Sequence, residues 1–197
     1  MDKNDQYAGW ALAIASLLSV VAMAHHPSGH DGGSDLNQLV HGAMIVLVLV
    51  SLAGFARLAW RLDLDRFGVL LGLIVYAVAA VANVLAATIN GFVAPAMANS
   101  ASDHLLQALW AFNQALAYGA ANGIGAAFAL WGLALLRTPG FERWAGVGAI
   151  IVGALSIGLL AGGLVRMNVS GAFTIYSAQA GFGVLAASVL MRPRASG

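Results

Sequence analysis

Histidine supplies the residues of this chain best suited to chemistry. Three of the five occur in one stretch, His25-His26-Pro27-Ser28-Gly29-His30-Asp31-Gly32-Gly33-Ser34-Asp35, and the other two, His41 and His104, stand where apolar segments begin. Imidazole is the commonest side-chain ligand for zinc and copper, and a site without thiolate must use nitrogen and carboxylate oxygen. The chain has no Cys, which excludes disulfides, thiolate metal sites, Cys-ligated iron–sulfur clusters and cysteine nucleophiles. The expected ligand set is therefore His25, His26, His30, His41 and His104 with Asp31 and Asp103, and the expected ion is copper or zinc. Pro27 and Gly29 keep His26 and His30 off one regular helical face but let a loop fold over an ion. The spacing matches no strong signature such as H-E-x-x-H. Zinc and copper(II) are expected over copper(I), unless Met23 and Met44 come close enough to add thioethers. Haem b with His41 and His104 as axial ligands is an alternative cofactor, against which stands the interfacial position of His104.

The elements that position these residues follow from composition. Hydrophobic residues make up 60% of the 197 and charged residues 9%, with a mean hydropathy of +0.84, far outside the usage of a soluble domain. Six apolar stretches, 8–24, 39–59, 67–87, 105–136, 144–165 and 172–191, each suffice to cross about 30 Å of hydrocarbon at 1.5 Å per residue. They lack the period-2 alternation of barrel strands. The fold class is all-α: a polytopic transmembrane bundle of six helices in a single domain over 1–197. A net charge of +1 carries no nucleic-acid signal.

Basic residues set the expected orientation. Lys3, Arg57, Arg61, Arg66, Arg137, Arg143, Arg192 and Arg194 flank segment ends on one side, and only Arg166 lies opposite. The positive-inside rule puts both termini in the cytoplasm and all five histidines outside, in a bacterial inner (plasma) membrane. Ala22-Met23-Ala24 has the form of a signal-peptidase site, but Asp2 and Asp5 deny the first segment a basic leader, so it is expected to stay. Were it cleaved, His25 would join an N-terminal amine to an imidazole and favour copper.

Polar residues within apolar segments must face protein or a wet cavity. His104, Gln107, Gln114, Tyr118 and Asn122 follow one another on a single face of the fourth segment. Tyr76, Asn83 and Asn90 share a face of the third, and the sixth adds Thr174, Tyr176 and Gln179. Nearly all are expected in the half of the bundle that carries the histidines. Beyond Asn122 the fourth segment is apolar, and the fifth offers only Ser156. The expectation is a pocket, lined by Asn83, Asn90, Gln107, Gln114, Tyr118, Asn122, Tyr176 and Gln179, that opens outside and is sealed within. No carboxylate stands at mid-membrane to carry protons or a driving ion, which disfavours a pump or a proton-coupled carrier.

Smaller signals complete the reading. A shift of 77 residues aligns His41-Gly42-Ala43 with Tyr118-Gly119-Ala120 and Asp65-Arg66-Phe67 with Glu142-Arg143-Trp144, so 39–90 and 113–168 read as a parallel repeat. Gly119 with Gly123 and Gly158 with Gly162 have the spacing of close helix contacts, within the bundle or with a membrane partner or second copy. Trp10, Trp60, Trp110 and Trp144 read as interfacial anchors. Asn168-Val169-Ser170 is a glycosylation sequon too near the helix ends to serve. The functional expectation is a metal-binding membrane protein rather than an enzyme. A structural or assembly subunit without ligand is the alternative, and a haem b or copper redox protein at the outer face is a third.

Overall fold

The computed structural model describes residues 2–26, 35–98 and 100–193, and every regular element among them is helical. The helices are α1 (Lys3–Ala24), α2 (Asp35–Arg61), α3 (Phe67–Thr88), α4 (Ala94–Met97), α5 (Asp103–Leu135), α6 (Phe141–Ala161) and α7 (Val169–Leu190). A π-helical turn, Ile89–Val93, joins α3 to the short α4, so the third stretch long and apolar enough to cross a membrane runs Phe67–Met97. The other five candidate spans are α1, α2, α5, α6 and α7. Residues 88–104, expected as a connection, are therefore largely helical. Pro95 near the start of α4 has no N–H to give the preceding turn and its ring crowds that turn's carbonyls. A widened turn before it accommodates both.

Local chemistry fixes the helix ends. The Asp2 carboxylate accepts from Asn4 N at 2.9 Å at the start of α1, and the Asn168 carbonyl oxygen accepts from Gly171 N at 2.9 Å at the start of α7. Each satisfies a backbone donor that a helix start leaves without a partner. Between α2 and α3, Asp63 adopts φ 79° and its carboxylate accepts from Asp65 N at 3.2 Å, the Asx geometry that reverses a chain in few residues.

The six long helices form a closed ring in which each packs on its neighbours in chain order and α7 returns to α1. Glycine sets the α5–α6 distance. A Cβ on Gly132 would stand 2.8 Å from Gly146 O, and one on Gly153 would collide with Gly125 O, so these backbones meet as small-residue interfaces allow. The pairs singled out by spacing behave differently. Gly119 and Gly158 face open space, Gly162 meets only its own helix, and Gly123 alone contacts another helix, through Ala79. Spacing of four selects a helix face but does not say which face is turned inward.

The ring encloses an aromatic cluster. Phe55 of α2 lies 4.8 Å, ring centre to ring centre, from Tyr76, 5.2 Å from Phe128, 5.4 Å from Trp131 and 5.9 Å from Phe182. All five rings are buried, and Trp131 Nε1 donates to Val69 O at 3.2 Å, which satisfies the indole inside the core. The four helices that carry these rings, α2, α3, α5 and α7, thus converge on one plug.

At one end, called here the basic end, charged groups pair across four helices. Arg57 of α2 binds Asp2 and, at 2.6 Å, Asp5 of α1. Arg61 reaches Asp5 at 3.6 Å and Glu142 of α6 at 3.5 Å, and donates to Leu190 O and Arg192 O of the α7 end at 3.1 and 2.9 Å. Arg192 in turn lies 3.7 Å over the Phe141 ring. Both chain ends are thereby gathered at the basic end. Asp5 is only 2% exposed. In the sequence Asp2 and Asp5 read as offsets to Lys3 and the terminal amine; in the structure their partners are arginines more than fifty residues away.

Candidate functional site

The opposite end of the ring holds a cavity of about 330 Å³, continuous in its lining with a deeper one of about 80 Å³. Met23, Met44, Val48, Asn83 and Tyr176 border both. The deeper cavity ends on Phe55, Tyr76 and Phe128, three rings of the aromatic plug. These rings stand between the deeper cavity and the basic end.

Two histidines meet at the wall of the larger cavity. α1 ends at Ala24, and His26 just beyond it reaches back to α2, where its Nε2 lies 3.2 Å from His41 Nε2. The rings are 4.8 Å apart and nearly perpendicular at 73°. His41 Nδ1 sits 2.8 Å from the Asn37 carbonyl one turn earlier. A carbonyl only accepts, so Nδ1 carries the proton and Nε2 presents its lone pair to His26. The Asn37 side chain donates to Asn90 O at 3.1 Å and ties α2 to the π-helical turn. Gly91 of that turn is obligatory: a Cβ there would collide with His41 Cβ. The His41 ring is therefore oriented from both sides.

The remaining polar lining is partly satisfied. Tyr176 OH donates to Asn83 Oδ1 at 2.7 Å, and Gln179 donates through Nε2 to Ala121 O at 3.0 Å. Asn113 Oδ1 and Gln179 Oε1 are buried without a hydrogen-bond partner. Leaving such a carbonyl unpaired costs about 1–3 kcal/mol, and each belongs to a residue that lines one of the two cavities.

The sequence-derived site residues divide between this cavity and the surface. His26, His41, Asn83, Asn90, Gln114 and Tyr176 line the larger cavity, and Gln179 lines the deeper one. His25 is exposed, with its Nδ1 2.9 Å from Val21 O of its own helix. Asp103 and His104 are exposed at the start of α5 and line neither cavity. His30 and Asp31 lie outside the described residues. Among the described residues no three His or carboxylate side chains converge on one point.

Of the polar stripe on α5 only Gln114 reaches the cavity. Gln107, Tyr118 and Asn122 contribute nothing to its lining, and Tyr118 is 41% exposed. The expectation assumed that each polar residue of a long apolar segment lies at hydrocarbon depth. α5 has 33 residues whereas its neighbour α6 has 21, so α5 is longer by roughly 18 Å at 1.5 Å per residue. His104 and Gln107 lie in the first turns of α5 and are exposed. Deeper, Asn122 donates instead to Tyr118 O of its own helix at 2.9 Å.

Several lining residues were not recognised from sequence, among them Asn113, Met167 and Asn168. Asn113 heads the buried face of α5, which continues through Ala120, Ile124, Phe128 and Trp131. Tracing α5 upward from its bulky apolar residues, rather than along its polar ones, leads to Asn113. No protein-family model, curated protein or solved structure matches this chain, and the function must be argued from the site itself.

Proposed function

We propose that the chain is a multi-pass membrane protein that binds a transition-metal ion through His26 and His41 at the wall of a blind cavity. The observation that carries this reading is the 3.2 Å between the two Nε2 atoms. Two nitrogens that share one tetrahedral ion at about 2.0–2.1 Å each are separated by about 3.3 Å. Without metal, His26 Nε2–H donates to the His41 lone pair; to bind an ion, His26 takes the tautomer with its proton on Nδ1, which frees the Nε2 lone pair and keeps the ring neutral. His41 already has the carbonyl partner on Nδ1 that metal-ligating imidazoles usually have. The haem alternative loses support because His104 lies apart from the cavity.

The test is metal analysis of detergent-purified, chelator-free protein beside the His26→Ala and His41→Ala variants. The reading expects one copper or zinc per chain in the parent and none in either variant. Metal retained by both variants, or none taken up by the parent near neutral pH, overturns it and leaves the structural-subunit reading.

The basic end belongs in the cytoplasm on this reading, because eight of nine basic residues flank that side. A reporter active only in the cytoplasm should work when fused after Arg194 or within 62–65 and fail within 29–34. Activity at the last site reverses the orientation.

A further inference from the structure

Resting on the metal reading above, we propose that the ion is copper(I), held by the thioethers of Met23 and Met44 together with the two imidazoles. α1 ends with Met23-Ala24-His25-His26, and α2 carries His41-Gly42-Ala43-Met44. The two helices pack side by side and antiparallel. Met44 stands three residues, about 4.5 Å, deeper than His41 on nearly the same face of α2, and Met23 lies in the last turn of α1, just before the chain leaves the helix toward His26. The contacts agree with that register, since Met23 and Met44 border both the cavity with the His pair and the smaller space beneath it. Two imidazoles and two thioethers thus belong to one lining.

The rest of the lining selects among ions. Neither cavity is bordered by a carboxylate among the described residues, and calcium, magnesium and manganese demand oxygen-rich sets. Zinc would find two nitrogens and no thiolate, short of the four-ligand sets it commonly takes. Thioether sulfur is a soft donor that selects copper(I).

Charge favours the same choice. Imidazole and thioether are neutral, so the full charge of the ion remains in a space also bordered by Val48, Ala86 and Ala87. Desolvation cost scales with the square of charge, which makes a dication about four times as costly to hold here as a monocation. The unpaired Asn113 Oδ1 supplies the negative end of a dipole within the same lining.

The full-length protein in detergent, kept under argon with ascorbate, is titrated with copper(I) against a chromogenic copper(I) chelator and separately with zinc(II) against a zinc dye. The proposal expects one copper(I) per chain, held tighter than zinc by on the order of 100-fold. Met23→Leu with Met44→Leu, a nearly volume-conserving pair, should remove most of that preference and leave zinc binding unchanged. X-ray absorption at the copper edge of the parent protein should show sulfur beside nitrogen. Zinc bound as tightly as copper(I), with both dependent on His26 and neither on the methionines, overturns the copper(I) assignment and leaves the histidine site standing. Nitrogen neighbours alone at the copper edge do the same. Failure of the parent to bind either ion overturns both.

Discussion

The two ends of this bundle use polar groups in opposite ways. At the basic end Asp2, Asp5, Arg57, Arg61 and Glu142 are tied to one another and to backbone carbonyls of α7, and Arg192 covers an aromatic ring. At the histidine end the groups border a cavity: His26 Nε2 lies 3.2 Å from His41 Nε2, and the buried carbonyl of Asn113 has no hydrogen-bond partner among the described residues. Charges that satisfy one another hold helices together and offer nothing to a ligand. Lone pairs left facing a cavity cost stability and are available to an ion. On the proposed reading, structure lies at one end and binding at the other, with the plug of Phe55, Tyr76, Phe128, Trp131 and Phe182 between them.

Substitution at the basic end should give the largest loss. Asp5→Ala leaves Arg57 and Arg61 without their shared buried carboxylate, and breaking such a pair costs about 3–5 kcal/mol. Thermal unfolding in detergent measures it, and a loss below 1 kcal/mol would mean that the pairs are only a surface feature. Next comes the α5–α6 seam. Gly153→Leu drives a side chain into Gly125 O and should cost about 1–3 kcal/mol or more, whereas Gly119→Leu, which faces open space, should change stability by less than about 0.5 kcal/mol. Equal effects of the two would refute the packing described for that seam.

The histidine end should respond with the opposite sign. Asn113→Leu removes an unpaired buried carbonyl, and the metal-free variant should match the parent or exceed it by up to about 1 kcal/mol. A marked loss would show that Asn113 is a structural group. Smaller again is the effect of pH. An imidazole must be unprotonated to hold an ion, so metal affinity should fall as acid is added, while affinity that holds steady until the bundle itself unfolds in acid would exclude histidine ligands.

The sequence discloses the architecture well and the site in part. Six spans can be read because apolar runs of this length have few other solutions. Of the histidine end only the pairing of His26 with His41 is legible, because the two sit at the facing ends of adjacent segments joined by one short connection. The charge network is not legible, since Asp5, Arg61 and Glu142 meet only once the ring closes α1 onto α7 and brings α6 beside it. The stripe from Gln107 to Asn122 misleads for a geometric reason: periodicity identifies a face, whereas the overhang of α5 decides whether that face meets protein, lipid or water. Asn113, adjacent to Gln114 in sequence, shows how one residue step, about 100° around the helix, separates a buried group from an exposed one.

The division between the ends is tested most directly by the thermal shift that copper(I) produces in three proteins: the parent, Asp5→Asn and His26→Ala. A ligand that binds only the folded state at 100 times its dissociation constant adds about 2.7 kcal/mol, and distant sites contribute additively. The account predicts that Asp5→Asn melts lower than the parent yet gains the same increment from the metal, and that His26→Ala melts near the parent and gains none. An undiminished increment in His26→Ala, or its loss in Asp5→Asn at saturating metal, would contradict the account.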